Sequence, residues 1–335
     1  MTNRVTIKEI AKELGVSVAS VSRALNGKGE ISAELKKKIL DRAKELGYVA
    51  NYNAISLRNK TTNLIGVLVP DTFNPFFAHF VTKTEEYLYN LGYEILLSTT
   101  RESLEKERDY LEIMLSKNVS GILSSPVSSS GNYSVYAKLS NMGVPIVFFD
   151  RSIRNLKLCH VSTDNRNSVY NAVKFLYENG HSKIAFIESV PETTIGFERL
   201  RGYREAMKEL YHDNRIGNLE SFTENDIESE VYRILNQKPT ALITGNLVIT
   251  KYLLRMLKKQ KINIPNDLSL IAFDDSEWLE INVPPITAIR QPVDRMAKCS
   301  VELLIDGIKN GKKEPKHIEL KNDLVLRGSV ININP

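Results

Sequence analysis

A short polar segment near the N-terminus combines side chains that could bind DNA. Arg23 carries a planar guanidinium whose fork fits the O6 and N7 acceptors of guanine. Short side chains beside it would allow close approach to a groove, and hydroxyl groups could bind phosphate oxygens. The candidates on this outward-facing part of the segment are Val18, Ala19, Ser20, Ser22, Arg23 and Asn26.

These side chains need a helix to carry them, and the residues before them predict a first supporting helix. Its apolar stripe, at helical spacing, consists of Ile7, Ile10, Ala11 and Leu14. Thr6 and Glu9 stand at capping-box spacing at its start, and Gly15 is placed to end it. The pattern therefore predicts a capped amphipathic helix directly before the polar segment.

The polar segment itself predicts a second helix, and a third follows. Ser17 can cap the second helix, on which Val21 and Leu25 face inward. Two short helices joined by a glycine-containing turn are typical of a helix-turn-helix, and a small structural hairpin is the alternative. Ser32 can cap the third helix, and Gly47 can end it. Its apolar face would consist of Leu35, Ile39, Ala43 and Leu46. Residues 1–48 thus predict a three-helix DNA-binding head.

The distribution of charge supports this interpretation of the head. Residues 1–60 hold 12 Lys/Arg and 6 Asp/Glu, whereas the other 275 residues hold 33 and 34. The excess positive charge therefore lies on the segment that carries the helix-turn-helix, as phosphate binding requires. A solvated basic tail is the alternative, but this segment has enough patterned apolar residues to fold.

Composition places the chain among folded cytoplasmic proteins. A length of 335 residues suggests two or three compact units, and 42% hydrophobic with 25% charged residues is typical of globular proteins. The sequence contains no apolar run long enough for a membrane span and begins with no apolar signal segment. Cys159 and Cys299 are too few for a disulfide framework, so two buried free thiols are expected. We expect a cytoplasmic location and no membrane partner.

Residues 49–62 form a polar stretch that predicts either a plain linker or a short hinge helix. A helical turn or two is possible over Tyr52 to Arg58, where Ala54 and Leu57 stand three apart. A helix this short should be unstable alone, but it could fold against DNA. Leu57 could then act as an apolar wedge in the minor groove.

From Leu64 onward, apolar runs alternate with amphipathic helices. The runs that predict buried strands are 64–70, 93–99, 119–126, 144–150, 183–189, 240–246 and 268–275. This alternation predicts parallel sheets covered by helices on both faces, divided between two α/β subdomains. Ligands in such sheets bind outside the carboxyl ends of the strands. Polar residues that follow the apolar runs are Asp71, Asp150, Asn246 and Asp274.

Motifs for enzymatic chemistry are missing from the sequence. No Walker A motif or GxGxxG follows a strand, no serine lies in a GxSxG elbow, and no HExxH or Cys/His metal spacing occurs. We therefore expect no cofactor, no metal site and no catalytic residues. A catalytic triad assembled from distant parts of the chain remains the enzymatic alternative.

Nearly the whole chain, from Val5 to about Arg327, resembles bacterial transcription regulators of the lactose-repressor family. In the head the resemblance lies in TIKEIAKELGVSVASVSRALNG and ISAELKKKILDRAKELGY. In the core it lies in IGVLVPDTFNPFF, DNRNSVYNAVKFLYENGHSKIAFI, RLRGYREAM, IPNDLSLIAFDD and TAIRQP, in that order. The resemblance implies a head over 1–48, a hinge helix over 49–62 and an effector-binding and dimerisation core over 63–335. That core would resemble periplasmic sugar-binding proteins.

The resemblance also implies how the core is divided. Its chain would cross between subdomains near residues 162, 290 and 322. Subdomain 1 would cover about 63–162 and 291–322, and subdomain 2 about 163–290 and 323–335.

The resemblance assigns DNA-binding roles by position. Val18, Ala19 and Arg23 would read bases in the major groove, and Leu57 would open a central base step. The residues that would hold the DNA backbone are Thr6, Ser17, Ser20, Ser22 and Asn26. Ala50 stands where a proline is common in the family, and Ile55 where an arginine is common. The missing proline makes the hinge entry less rigid, and the missing arginine removes a DNA contact that the family pattern would supply.

For the effector, the resemblance points to a set of residues that suits a polyhydroxylated ligand. They are Asp71, Phe76, Phe77, Asp150, Arg151, Arg199, Asn246 and Asp274, and Trp278 could offer a stacking surface nearby. Arg151 replaces the stacking aromatic of purine-binding relatives, and Leu247 replaces a usual aspartate. The latter change leaves sugar acids, sugar phosphates and oligosaccharides open. Alternatively, Asp150 and Asp274 could cap loops and Arg199 could be an ordinary ion-pair partner.

Together these features predict a repressor that binds a near-palindromic double-stranded operator and responds to a sugar or sugar derivative. Arg199 and Asp274 would face opposite sides of this ligand, with Arg199 at the start of a helix. The C-terminal segment LRGSVININP lacks the leucine repeat of the family's tetramers, so we expect a homodimer. The rival hypothesis is a binding protein or enzyme with an incidental N-terminal helical domain.

Overall fold

The computed structural model describes residues 5–26, 31–48, 62–188, 190, 192–211, 224–311 and 314–334. The chain forms two compact units, residues 1–62 and 63–335. The predicted hinge helix, with Leu57, Ala50 and Ile55, falls on residues 49–61, which lie outside the described residues. The hinge therefore remains a prediction.

The first helix of the head forms where the capping residues predict it. Helix α1 spans Ile7–Leu14 and has a complete capping box. The backbone N–H of Glu9 donates to Thr6 Oγ1 at 3.4 Å, and the Thr6 N–H donates to Glu9 Oε2 at 2.6 Å. Gly15 ends the helix in the left-handed conformation at φ 63°, which a glycine adopts at little cost.

The other two head helices also match their predicted starts. Helix α2 spans Val18–Asn26, with Ser17 Oγ accepting from Ser20 N at 3.0 Å, and helix α3 spans Ala33–Glu45 behind its N-cap Ser32. Gly47 follows the end of α3 with φ 65°. The small apolar core consists of Ile10, Ala11, Val21, Ala24, Ile39 and Ala43, with Leu25 partly buried against it. This arrangement confirms the three-helix head.

The core begins with a six-stranded parallel sheet, here called sheet 1, in the order β10-β5-β4-β3-β1-β2. Its strands are β1 Leu64–Val69, β2 Glu94–Thr99, β3 Gly121–Ser124, β4 Ile146–Phe149, β5 Cys159–Thr163 and β10 His317–Leu320. The helices that belong to this part are α4 Pro75–Asn90, α5 Leu104–Ser116, α6 Tyr133–Asn141 and α12 Val293–Asn310. Apolar clusters cover both faces of the sheet.

Sheet 2 has five strands in the order β11-β9-β8-β7-β6, and all are parallel except β11. Its strands are β6 Ile184–Ile187, β7 Ala241–Thr244, β8 Ser269–Phe273, β9 Thr287–Arg290 and β11 Asp323–Val325. Its helices are α7 Asn165–Glu178, α8 Thr194–Tyr211, α9 Glu224–Asn236, α10 Leu247–Gln260 and α11 Glu277–Glu280. The chain passes between the sheets after β5, after β9 and after β10.

The seven predicted strands are present, and each is shorter than its apolar run. One prediction about burial is wrong: β2 lies at an edge of sheet 1 and is half exposed, because it has a strand neighbour on one side only. Cys159 and Cys299 are free, as predicted, but each is only partly buried. Within the described residues, no helix is both long and apolar enough to span a membrane.

Candidate nucleic-acid interface and ligand cleft

The outer face of α2 presents the residues that the sequence predicts to read bases. Val18, Ala19 and Arg23 are exposed, and Ser20 and Ser22 are partly exposed. They lie opposite Val21 and Ala24, which are buried in the head core. Because small side chains surround Arg23, its guanidinium could enter a groove without steric hindrance from its neighbours.

The hydroxyl groups of the head have structural roles besides any contact with phosphate. Thr6 Oγ1 donates to Glu9 Oε2 at 3.0 Å, and the hydroxyls of Ser17 and Ser20 lie 2.9 Å apart. These bonds fix the starts of α1 and α2, whose backbone N–H groups lack partners within the helix. Asn26 belongs to α2, but its side chain lies outside the described residues.

In the core, the two sheets end in equivalent aspartates. Asp150 directly follows β4 and Asp274 directly follows β8. Their φ angles are 59° and 69°, in the left-handed region that side-chain-bearing residues rarely adopt. Both are buried, at 2% and 4% exposure. Strained, buried carboxylates at the carboxyl ends of parallel strands are typical of binding sites.

The Asp150 carboxylate has no hydrogen-bond donor among the described residues. The nearest cationic group is Arg151 Nε, 3.8 Å from Asp150 Oδ2, and that nitrogen is itself buried without a hydrogen-bond partner. Burial raises the pKa of Asp150 to about 6, although Arg199 and Arg151 oppose the rise. The carboxylate is therefore buried with unused acceptor capacity, which a ligand with hydroxyl or N–H groups could fill.

Asp274 is held differently, by a chain of hydrogen bonds. Gln291 Nε2 donates to Asp274 Oδ1 at 2.6 Å, and Thr163 Oγ1 donates to Gln291 Oε1 at 2.6 Å. Burial raises the pKa of Asp274, and Arg199 and the Gln291 amide oppose this rise. Thr163 ends β5 and Gln291 follows β9. These hydrogen bonds therefore link the connection after β5 with the connection after β9.

Arg199 lies in the second turn of α8 and not at a helix start, because α8 begins five residues earlier at Thr194. Its Nε donates to Asn165 Oδ1 at 2.7 Å, and its Nη1 donates to the Gly245 carbonyl at 2.6 Å. The guanidinium carbon lies 3.6 Å from the ring centroid of Phe273. Arg199 is thus a buried cation whose hydrogen-bond partners are neutral. Its charge lowers the pKa of both Asp150 and Asp274.

Arg151, predicted to contact the ligand, directs its fork to another residue of sheet 1. Its two Nη atoms each donate to the Glu102 carboxylate at 2.8 Å. Arg151 is 4% exposed, and its guanidinium lies 5.9 Å from the ring centroid of Phe77. Because Glu102 occupies both arms of the fork, a ligand would meet a neutralised pair at this point and not a free cation.

Asp71 and Asn246 serve their own local structure. Asp71 Oδ1 accepts from the backbone N–H groups of Phe73 and Asn74 at 2.6 and 2.8 Å. Asn246 caps α10 by accepting from Ile249 N at 3.0 Å. Asp71 therefore caps its own loop, which is the alternative role that the sequence left open for Asp150 and Asp274.

The three predicted aromatic residues belong to apolar clusters. Phe76 and Phe77 are buried under sheet 1 with their rings 5.0 Å apart. Trp278 packs against the apolar cluster of sheet 2 that contains Leu247 and Leu279. A stacking role for Trp278 beside Asp274 therefore remains a prediction, and packing accounts for the position of its ring.

Loops at the ends of the two sheets contact each other. Ser152 N donates to Thr194 Oγ1 at 3.1 Å, and Ser129 N donates to the Glu192 carbonyl at 3.2 Å. The guanidinium carbon of Arg154 lies 4.7 Å from the ring centroid of Phe197. These contacts join the sheet 1 loops to the start of α8, so Asp150, Asp274 and Arg199 lie in one cleft between the sheets.

Sequence reasoning missed several polar residues of this cleft, namely Glu102, Thr163, Asn165, Glu188 and Gln291. Glu188 follows β6, so the rule that found Asp150 and Asp274 could also have found it. No sequence pattern marks Gln291 or Thr163 as a cleft residue, because the residues that they hydrogen-bond to lie 17 and 128 positions away.

A cavity of about 80 Å³ lies elsewhere, at the amino ends of β4 and β5, beside Val147, Lys157 and Gly307. It is smaller than the roughly 300–1,000 Å³ of usual ligand pockets. The cleft, with its convergent buried polar groups, is the better candidate for a ligand site.

Comparison with known proteins identifies a family for both parts of the chain. Residues 6–51 match the family described as "Bacterial regulatory proteins, lacI family", and residues 173–330 match the "Periplasmic binding protein-like domain". The chain is 32% identical over 337 residues to the HTH-type transcriptional repressor PurR of Aliivibrio fischeri, covering 98% of each protein. The chain belongs to the lacI family of bacterial regulatory proteins. It is a DNA-binding transcriptional repressor.

Solved structures share the fold of this lacI-family repressor. A lac repressor dimer bound to operator and the anti-inducer ONPF aligns with a TM-score of 0.87 at 22% identity, over 98% of this chain and 100% of that one. A complex of the transcriptional regulator CelR with cellobiose aligns with a TM-score of 0.71 at 26% identity, over 97% and 100%. The two-sheet core of this repressor is therefore the core of its family.

Proposed function

We propose that this repressor is a homodimer that binds a near-palindromic operator and that a polyhydroxylated ligand in the cleft changes its operator affinity. The observation that carries the ligand proposal is the Asp150 carboxylate, buried between the sheets without a hydrogen-bond donor among the described residues. A buried carboxylate of this kind costs free energy unless a partner is bound to it.

The proposed DNA contacts are those that the sequence predicts. Arg23 would read a guanine, with Val18 and Ala19 against the base edges, and Leu57 would act in the hinge. The residues proposed to bind the DNA backbone are Thr6, Ser17, Ser20, Ser22 and Asn26. A head over residues 1–48, a hinge over 49–62 and a core over 63–335 remain the proposed division.

Within the cleft, the proposed ligand contacts are led by Asp150 and Asp274, with Arg199 as a buried cation whose charge lowers the pKa of both. Further proposed contacts are Asp71, Phe76, Phe77, Arg151, Asn246 and Trp278. Carboxylates accept hydrogen bonds from adjacent hydroxyl groups, which favours a sugar or sugar derivative. The CelR complex with cellobiose supports this class. A purine is the alternative, and it is disfavoured because the Arg151 fork is committed to Glu102 where an aromatic ring would have to stack.

Regulation would follow from reciprocal linkage between the two sites. Ligand binding would change how the two sheets close on each other, and this motion would bend the connections between them. The hydrogen bonds from Gln291 to Asp274 and from Thr163 to Gln291 join the cleft to two of those connections. Two heads must lie about one DNA turn apart to bind adjacent major grooves, so a change in their spacing would change operator affinity.

The DNA proposal is tested by Arg23→Ala in gel shifts with operator and random DNA. The variant should fold normally and lose ~1–3 kcal/mol of operator preference, the usual contribution of a bidentate guanine contact. Lys44→Ala, at an exposed basic site on α3, is the matched control and should affect both DNAs equally. An unchanged preference in Arg23→Ala would refute the base-reading role.

The ligand proposal is tested by thermal shift with a panel of sugars, sugar derivatives and purines, followed by gel shifts with each compound that binds. A stabilising compound should change operator affinity of the wild type, and Asp150→Asn should weaken its binding. Stabilisation by a purine with no response to any sugar would replace the proposed ligand class. A full response in Asp150→Asn would move the site away from this carboxylate.

A further inference from the structure

Asn165 is a buried amide of the cleft that the predicted ligand contacts do not include. It is the first residue of α7, two positions after the end of β5, and it is 5% exposed. Its Oδ1 accepts from Arg199 Nε at 2.7 Å, and its Nδ2 donates to the Thr163 carbonyl at 2.8 Å. The two ends of one side-chain amide therefore join Arg199 to the last residue of β5.

Arg199 depends on Asn165 for the orientation of its guanidinium. Its hydrogen-bond acceptors among the described residues are the Asn165 amide at Nε and the Gly245 carbonyl at Nη1, and Nη2 has none. The ring of Phe273, 3.6 Å from the guanidinium carbon, offers no acceptor. Two acceptors on different nitrogens fix the plane of a guanidinium, whereas one leaves it able to turn. Loss of the Asn165 contact would therefore release the orientation of Arg199 and of its Nη2 group.

The same contact connects Arg199 with Asp274. Thr163, whose carbonyl accepts from Asn165, donates through its hydroxyl to Gln291 at 2.6 Å, and Gln291 donates to Asp274 at 2.6 Å. All five residues are at most 5% exposed. Buried polar groups that are bonded to one another hold one arrangement, so a displacement at one end acts on the rest. The hydrogen bonds thus lead from both proposed ligand contacts to the ends of β5 and β9.

We infer that Asn165 is a positioning residue that couples the effector site to the connections between the sheets. It fixes the Arg199 guanidinium to the end of β5, so a ligand bound to Arg199 acts on the connection that follows this strand. Asn165 itself is not a ligand contact, and its effect is exerted through Arg199. The inference rests on the proposed ligand-binding function of the cleft.

The first experiment needs no ligand, because Asp150 reports the position of Arg199. Burial raises the pKa of Asp150 to about 6, and Arg199 opposes this rise more than any other charged group. The other charged groups that act on Asp150 are Arg151, Asp274 and Glu102. His160 Nε2 lies 3.3 Å from the Asp150 carbonyl oxygen, and burial lowers the pKa of His160 to about 4. His160 therefore stays neutral above pH 5.

Asn165→Leu removes both hydrogen bonds and keeps a side chain of similar size. In the wild type, protonation of Asp150 stabilises the fold fully below pH 3.8, and this stability is lost as the pH rises through 6. In Asn165→Leu the displaced cation should let the folded-state pKa of Asp150 rise further, so the loss should continue to about one pH unit higher. Urea unfolding from pH 5 to pH 9, with and without Asp150→Asn in each background, isolates this contribution.

Two further variants separate the positioning of Arg199 from a loss of packing. Asn171→Leu, at an exposed site on α7, is the matched control and should keep the wild-type pH dependence. Arg199→Met has no cation to displace, so adding Asn165→Leu to it should cause no further shift. An unchanged pH dependence in Asn165→Leu, or an equal shift in the Arg199→Met background, would overturn the inference.

The second experiment measures the coupling to the operator. Glucose, galactose, ribose and cellobiose are titrated by calorimetry into the full chain, and gel shifts follow at a saturating concentration of each sugar that binds. Asn165→Leu should bind that sugar roughly tenfold or more weakly, as loss of a buried charge-assisted hydrogen bond predicts. At saturation it should also lose most of the change in operator affinity that the wild type shows. Asn171→Leu should retain both properties.

The outcomes separate the inference from the function on which it rests. If Asn165→Leu keeps the full operator response at saturation, Asn165 does not couple the sites, and the inference is wrong while the ligand cleft stands. If none of the four sugars binds to the wild type, the proposed sugar-type effector fails. The pH dependence of Asn165→Leu then still supports or refutes the positioning of Arg199.

Discussion

Asp150 and Asp274 occupy equivalent places at the ends of β4 and β8, with the same unusual backbone and nearly the same burial. Their surroundings differ. Asp274 accepts from Gln291 at 2.6 Å, whereas the Asp150 carboxylate has no donor among the described residues. The comparison teaches that position in the fold brings a carboxylate to the cleft, while its hydrogen-bond partners determine what it can do there. Asp150 is therefore the proposed ligand contact, whereas Asp274 is hydrogen-bonded through Gln291 to the connections between the sheets.

The charge of Arg199 stabilises the ionised forms of both Asp150 and Asp274. Its removal should therefore lower the free energy of unfolding more than any other substitution proposed here. Its charge opposes the rise in the pKa of Asp150 and of Asp274, and its side chain is 2% exposed. Arg199→Ala should lower the free energy of unfolding by ~3–5 kcal/mol, because buried carboxylates lose their compensating cation. Urea unfolding at pH 8 measures this loss.

Arg201→Ala is the matched control for Arg199→Ala. Arg201 lies on the same helix and pairs with Glu205 at the surface, so its loss should cost ~1 kcal/mol or less. Equal losses in the two variants would show that Arg199 does not compensate the buried carboxylates.

Asp150→Asn should raise stability at high pH, because it removes a buried charge that no donor compensates. The folded-state pKa of Asp150, about 6, lies above the ordinary value of 3.8. The wild type is therefore stabilised by protonation below pH 4 and loses this stability as the pH rises through 6. At pH 8 the variant should be more stable by ~2–3 kcal/mol, and the difference should vanish near pH 4.

Thermal or urea unfolding from pH 4 to pH 8 checks this prediction for Asp150. Asp109→Asn, at an exposed carboxylate on α5, should follow the wild type at every pH. A difference between Asp150→Asn and the wild type that stays constant with pH would mean that titration of Asp150 is not its cause.

Gln291→Ala tests the hydrogen bonds that distinguish Asp274 from Asp150. The substitution removes the donor to Asp274 and the acceptor for the Thr163 hydroxyl, so two buried polar groups lose a partner. We expect a loss of ~1–3 kcal/mol in the free energy of unfolding. Gln260→Ala, at an exposed site near the end of α10, should have little effect.

A double-mutant cycle then decides whether the two aspartates are independent. The effect of Gln291→Ala should change when Asp274→Asn is already present and should stay the same when Asp150→Asn is present. If Gln291→Ala were coupled equally to both positions, Asp150 and Asp274 would not differ in their link to the connections between the sheets.

The head could be predicted closely from the sequence because its determinants are local. Each helix start depends on a side chain that bonds to a backbone N–H three residues away, as Thr6 with Glu9 and Ser17 with Ser20. Such pairs are visible in the sequence. The alternation of strands and helices is equally visible, because apolar runs of seven or eight residues mark seven of the strands.

The cleft could be predicted only in part, because its partners are distant in sequence. Arg199 bonds to Asn165 and Gly245, which lie 34 and 46 residues away. The Glu102 partner of Arg151 lies 49 residues away, on a loop with no pattern of its own. The strands that were missed, β5, β9, β10 and β11, are short or polar at their ends, and sheet neighbours hold them in place.

Thr6→Ala supplies the smallest effect and a reference for the comparison, since the contact that it removes involves no buried carboxylate. Thr6 and Glu9 are exposed, and they satisfy backbone N–H groups at the start of α1. The substitution should destabilise the head by ~1 kcal/mol, the usual contribution of an N-cap side chain. Hydrogen exchange of the α1 amides in the full chain measures the change, and Thr62→Ala, a threonine outside the three head helices, is the control. Because the capping box is local, Thr6→Ala should leave the pH dependence attributed to Asp150 unchanged. A loss as large as that of Arg199→Ala would show that surface capping contributes as much here as compensation of buried charge, and the distinction between local and buried contacts would fail.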